Sequence, residues 1–81
     1  MKTADYQKQL SKLFPSAVIM DDEPKEVQNR FGGGSITLNP LEIAIYDLSI
    51  GAESLQDYST VRKCIDWFIK NNVEAYSVLL D

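Results

Sequence analysis

Leu41-Glu42-Ile43-Ala44-Ile45-Tyr46-Asp47-Leu48-Ser49-Ile50 decides the fold. Within it and just beyond, Leu41, Ala44, Ile45, Leu48 and Ala52 recur at spacings of three and four, the period of one helix face. Ile43 and Ile50 add a second apolar flank, so only Glu42, Tyr46, Ser49 and Glu53 remain as a polar strip. A helix with so narrow a wet side has to be surrounded, which makes this segment the predicted central helix. Asn39 is a preferred N-cap, and Pro40 suits the first helical position because its missing N–H would have no partner there anyway. Asp47 falls beside Ile43 and Ile50 on the wheel and is expected to be partly shielded from water, hydrogen-bonded to a backbone N–H or a tyrosine.

Downstream, Gly51 is expected to supply the left-handed residue that stops this helix. Ser54 or Asp57 then caps a third helix, with Tyr58, Val61, Cys64 or Ile65, and Phe68 on its apolar face and Trp67 at the side. Arg62, Asp66 and Lys70 follow one another at four-residue steps, an alternating-sign ladder for the wet side. Asn71-Asn72 reads as a left-handed stop, after which Val73, Tyr76, Leu79 and Leu80 form a short closing helix.

Upstream, Tyr6, Leu10, Leu13 and Phe14 make a single helical stripe, with Gln7, Lys8, Ser11 and Lys12 assigned to water. Pro15 ends that helix, since its ring disfavours helix in the preceding residue. Ala17-Val18-Ile19-Met20 reads as a short strand whose natural partner is Ser35-Ile36-Thr37-Leu38. Pro24 after Asp22-Glu23 suggests a couple of helical turns over residues 24–30, burying Val27 and Phe31. Gly32-Gly33-Gly34-Ser35 lacks the Lys-Ser/Thr of a phosphate-binding loop and is read as a linker, marking a hinge, a tight turn or a close backbone contact.

The expected fold is mainly α: a small helical bundle with helices near 4–14, 40–52, 57–71 and 73–80, a loop-rich N-terminal segment and a minor two-strand pairing. Residues 1–36 form an amphipathic helix, an extended arm and the glycine hinge, and residues 37–81 form the helical core of one domain.

Composition removes several chemistries. A chain of 81 residues, 44% hydrophobic and 25% charged, is an ordinary globular composition with room for one small core. No apolar run approaches the roughly 18 residues of a membrane span, and Met1-Lys2-Thr3-Ala4-Asp5-Tyr6 does not begin like a signal peptide. The single Cys64 excludes an internal disulfide and reads as a small buried hydrophobe. There is no His, so His-based nucleophile activation is excluded and no catalytic residue, metal ligand set or cofactor site is expected. Asp21-Asp22-Glu23 with Glu26 reads as a solvated acidic turn, not a calcium loop.

Net charge is −4, and all of the excess lies after Thr37, where seven carboxylates face Arg62, Lys63 and Lys70. A helix-turn-helix with 57–71 as the recognition helix would therefore meet DNA with the wrong sign, and no nucleic-acid partner is expected. The same charge is too sparse for a DNA mimic. Protein remains as the expected partner. Tyr6, Leu10, Phe14, Val18, Ile19 and Phe31 must be covered, either by folding back on the C-terminal helices or by a partner, and are the candidate partner-binding residues.

Leu38-Asn39-Pro40 leading into Ala44-Ile45-Tyr46-Asp47, then Gly51-Ala52-Glu53, Asp66-Trp67-Phe68 and Ala75-Tyr76-Ser77-Val78-Leu79-Leu80-Asp81 resemble short, mostly uncharacterised proteins of tailed phages, over residues 37–81 only. That resemblance implies a setting in the virion or the bacterial host cytoplasm. The expected function is a non-catalytic protein–protein interaction module, a structural or accessory subunit of a phage-like virion assembly. The alternative is a soluble acidic inhibitor or host-takeover factor that binds a host enzyme.

Overall fold

The computed structural model describes residues 3–81. In chain order it consists of α1 (Thr3–Leu13), β1 (Lys25–Gln28), β2 (Ser35–Leu38), α2 (Pro40–Ser54), α3 (Tyr58–Asn71) and α4 (Val73–Ala75), which runs into a π-helical turn, Tyr76–Leu80. This is the mainly α bundle with a two-strand pairing that the sequence predicts. No helix among the described residues is long and apolar enough to cross a membrane.

α2 begins as its cap residues dictate. The Asn39 side chain accepts from the Glu42 N–H at 2.9 Å, and the Glu42 carboxylate accepts from the Asn39 N–H at 2.9 Å, a reciprocal capping box. The second Glu42 oxygen accepts from Asn72 Nδ2 at 2.7 Å, while Asn72 Oδ1 caps α4 through the Ala75 N–H at 3.2 Å. One carboxylate thus joins the starts of two helices thirty residues apart. Asn72, at φ −157°, is extended and not the left-handed stop expected. Gly51 is not a stop either: α2 continues to Ser54, and the left-handed residue is Gln56 at φ 59°.

The strand pairing differs in its partner. β2 pairs antiparallel with β1, placing Val27 opposite Ile36, so residues 25–28 are strand where helical turns were expected. The glycines explain this. Gly32, Gly33 and Gly34 take φ of 85°, 100° and 141°, conformations that turn the chain straight back into a hairpin. The Asn29 N–H donates to the Gly34 carbonyl at 2.9 Å, and Asn29 Oδ1 accepts from the Phe31 N–H at 2.8 Å. Asn29 Nδ2 also donates to the Val78 carbonyl at 2.8 Å, tying the loop to the C-terminal turn. Of the alternatives for the triglycine, the tight turn is the one formed: it is a fastened hairpin tip and not a hinge.

Residues 17–20 form no strand, because a side chain has taken the place of a neighbouring strand. Gln7 Nε2 donates to the Ala17 carbonyl at 3.1 Å, and Gln7 Oε1 accepts from the Ile19 N–H at 2.8 Å. Gln7, read as a wet residue, is half-buried as a result. Burial alternates along this segment, with Ala17 and Ile19 half-buried and Val18 and Met20 exposed.

The core joins Leu10 of α1, Leu38 of β2, Leu41, Ile43, Ile45 and Tyr46 of α2, Cys64 and Phe68 of α3, Ala75 of α4 and Leu79. Burial pushes the Cys64 thiol up to about 11, so it stays protonated at neutral pH. α2 is turned about its axis relative to the sequence expectation. Tyr46 and Ser49, assigned to the wet strip, are 4% and 3% exposed, and they share a small cavity with Asn29 of the hairpin and Leu79. Ser49 Oγ satisfies itself on the Tyr46 carbonyl at 2.6 Å, whereas the Tyr46 hydroxyl is buried without a hydrogen-bond partner. Burying an unpaired hydroxyl costs about 1–3 kcal/mol, so Tyr46→Phe is expected to stabilise the fold by about 1 kcal/mol, read as a rise in the thermal midpoint.

Candidate functional site

Turning α2 toward the hairpin moves Ala44 and Leu48 to the edge of the core, against which they still pack. Both were read as core positions and both are half-buried, forming with Gly51 and Ala52 the floor of a groove of about 840 Å³. Phe14, Val18 and Met20, contributed by the chain leaving α1, line it together with Leu55, just past α2. Asp57, the N-cap of α3, and Thr60 and Lys63 from its first two turns complete the lining. Val18, Met20 and Leu55 are 63%, 84% and 82% exposed, a concentration of large apolar side chains that a monomer seldom leaves to water at one place.

Most charges at the groove already have partners. Asp57 caps α3, accepting from the Thr60 N–H at 3.2 Å, Thr60 Oγ1 at 2.7 Å and Ser59 Oγ at 3.0 Å, and these hydrogen bonds hold its carboxyl below the usual range. Asp21 is paired with Lys25 four residues on. Lys63 donates to the Leu13 carbonyl at the end of α1, with its ammonium 4.7 Å from the centre of the Phe14 ring.

Asp47 is the exception. No N–H or tyrosine hydroxyl reaches it, contrary to the sequence expectation, and among the described residues it forms no ion pair. Asp47 is exposed, but the apolar floor beside it withdraws part of its hydration, and this, with the nearby charge of Asp21 second, raises its carboxyl above the ordinary aspartate range. The folded chain therefore holds this proton more tightly than the unfolded one. The charge costs nothing below the unfolded carboxyl range and begins to oppose folding as pH rises through it. Asp47→Asn is expected to stabilise the fold near neutrality and to leave it unchanged below about pH 3, in denaturation curves run at both pH values.

The six residues singled out from the sequence divide. Leu10 is 0% exposed and belongs to the core, so it has no surface to offer a partner. Tyr6, Phe14 and Ile19 are half-buried against that core. Residues 1–36 therefore share the interior made by residues 37–81 rather than hanging from it, as far as the described residues extend. Phe14 and Val18 line the groove, and Phe31, expected to be buried, is 85% exposed at the hairpin tip. Sequence reading missed Met20, Asp47, Leu48 and Leu55 as groove residues. The signal was present: Met20 alternates with Val18, and the stripe Ala44, Leu48, Ala52 continues at helical spacing to Leu55 after the helix has ended.

No three His, Cys, Asp or Glu side chains converge as a metal site among the described residues. Of the groove carboxylates, Asp47 is raised, Asp57 is held low by its cap hydrogen bonds, and Asp21 is paired with Lys25. Among the described residues, the arrangement is an open apolar trough beside the unpaired carboxylate of Asp47. No protein-family model, no curated protein and no solved structure matches the chain.

Proposed function

We propose that this chain is a non-catalytic protein-binding module, a small accessory subunit of a larger assembly, and that the groove floored by Ala44 and Leu48 receives its partner. The carrying observation is the exposure of Val18, Met20 and Leu55 around a single apolar trough in a domain this small. Those side chains lose contact with water only when another surface covers them, which supplies a driving force of roughly 25 cal/mol for each Å² of apolar area buried. An open groove fits an apolar ridge of protein better than a small solute, which needs enclosure. A lone carboxylate sets orientation in such a contact and does not by itself supply a reaction.

The test is affinity capture with the intact chain and with Val18→Asp/Leu55→Asp, whose altered side chains are both exposed in the free protein. A partner retained by the intact chain, lost by the variant and re-forming the complex from purified components supports the reading. Retention should persist as ionic strength rises, because apolar docking is not screened. Equal retention by the variant would remove the groove from the interaction.

A further inference from the structure

The hairpin tip and the groove carry complementary chemistry. At the tip, the Phe31 ring is 85% exposed and the Arg30 guanidinium lies 5.0 Å from its centre. Gly32 and Gly33 have open space where a Cβ would stand, so the backbone behind the ring is narrow. In the groove, Leu48 underlies an apolar trough beside the unpaired Asp47. An aromatic ring next to a cation thus faces, in chemical terms, an apolar trough next to an anion.

Their placement separates them within one molecule. The residues of α2 near the tip are Tyr46, Ser49, Ile50 and Glu53, whereas those of the groove are Ala44, Asp47, Leu48 and Gly51. At about 100° per residue these two sets lie on opposite sides of the helix. A tip on one side and a trough on the other meet only between molecules. Arg30 is free to exchange partners, since its contact with Glu53, at 3.2 Å, joins side chains 36% and 53% exposed, and such surface pairs contribute little.

We propose that the occupant of the groove is the Arg30–Phe31 tip of a second copy of this chain, so that copies join head to tail. The inference rests on the reading of the groove as a docking surface. The Phe31 ring covers Leu48 between Val18 and Leu55, and Arg30 pairs with Asp47. Each contact leaves a tip unused at one end and a groove unused at the other, so association proceeds to rings or filaments instead of stopping at a symmetric pair. The contact is small and belongs to the weak class of interfaces, and the net charge of −4 on each copy opposes it most at low salt.

Sedimentation velocity over a range of concentrations reaching about 1 mM tests this on the full chain. The mean mass of the wild type is expected to climb past that of a dimer. Phe31→Ser, with an intact groove, and Asp47→Lys/Leu55→Lys, with an intact tip, are each expected to stay monomeric while keeping the wild-type circular dichroism. All three altered positions are exposed, so the core is untouched. Mixing the two variants leaves one productive contact per pair, and a species of two chains that grows no further is expected. A wild type that stays monomeric, or a Phe31→Ser chain that associates like the wild type, overturns the proposal. A monomer that still captures a different protein through the groove rejects only the second copy as occupant, whereas one that captures nothing rejects the docking surface as well.

Discussion

Leu10→Ala is expected to lower the unfolding free energy by about 3 kcal/mol, the middle of the range for truncating a fully buried leucine. Leu10 is 0% exposed and sits in one cluster with Leu38, Ile45 and Phe68. A domain of 81 residues has a total stability of roughly 4–12 kcal/mol, so this single truncation removes a large part of it. The residue lies in α1, in the segment that the sequence reading set apart from the core. An arm folding independently of the bundle would lose its own structure on this change and leave the main transition unmoved. Urea denaturation followed by circular dichroism separates the cases. The midpoint is expected to fall while the slope stays constant, as for one cooperative unit.

Glu42→Ala is expected to cost about 2 kcal/mol, a fall of about 10 °C in the thermal midpoint for a chain of this size. The Glu42 carboxylate accepts from the Asn39 N–H at 2.9 Å and from Asn72 Nδ2 at 2.7 Å, so its removal weakens the start of α2 and releases the residue that caps α4. The loss exceeds that of an ordinary cap because two segments distant in sequence depend on one side chain. Glu42→Gln separates the contributions. A glutamine oxygen still accepts from the Asn39 N–H, but its NH₂ cannot accept from Asn72 Nδ2, so about half of the loss is expected. Scanning calorimetry on the three proteins gives the order wild type, Gln, Ala.

What was legible in the sequence was local. Asn39-Pro40 opened α2 and Asp57 capped α3, because a cap bonds only to residues two or three positions away. Pro15 ended α1 by its own geometry. Failures came where a distant partner decided the matter. Residues 17–20 had the composition of a strand, yet Gln7 supplied the hydrogen bonds that a neighbouring strand would have made. Residues 25–28 became a strand because the glycines at φ 85°, 100° and 141° returned the chain along itself, and that pairing outweighed a weak helical signal.

The candidate site was half legible for the same reason. α2 is apolar over more of its circumference than one small core can cover, and the sequence reading chose the wrong edge, burying Ala44 and Leu48 and leaving Tyr46 and Ser49 wet. The hairpin, pinned to Val78 through Asn29 at 2.8 Å, settled against Tyr46 and Ser49 and left Ala44 and Leu48 as the groove floor. Phe14 and Val18 were found because they follow α1 as an apolar surplus. Leu10 came from the same surplus, but it is the one that fills the core.

The described residues share a single interior completed by α1, and the chain leaving α1 lines the groove with α2. Native-state hydrogen exchange on the free chain addresses this directly. The amides of α1 around Leu10 are expected to exchange only through the same global opening that releases α2 and α3, with equal dependence on added denaturant. Exchange of the α1 amides by an independent local opening, while α2 and α3 remain protected, would contradict it.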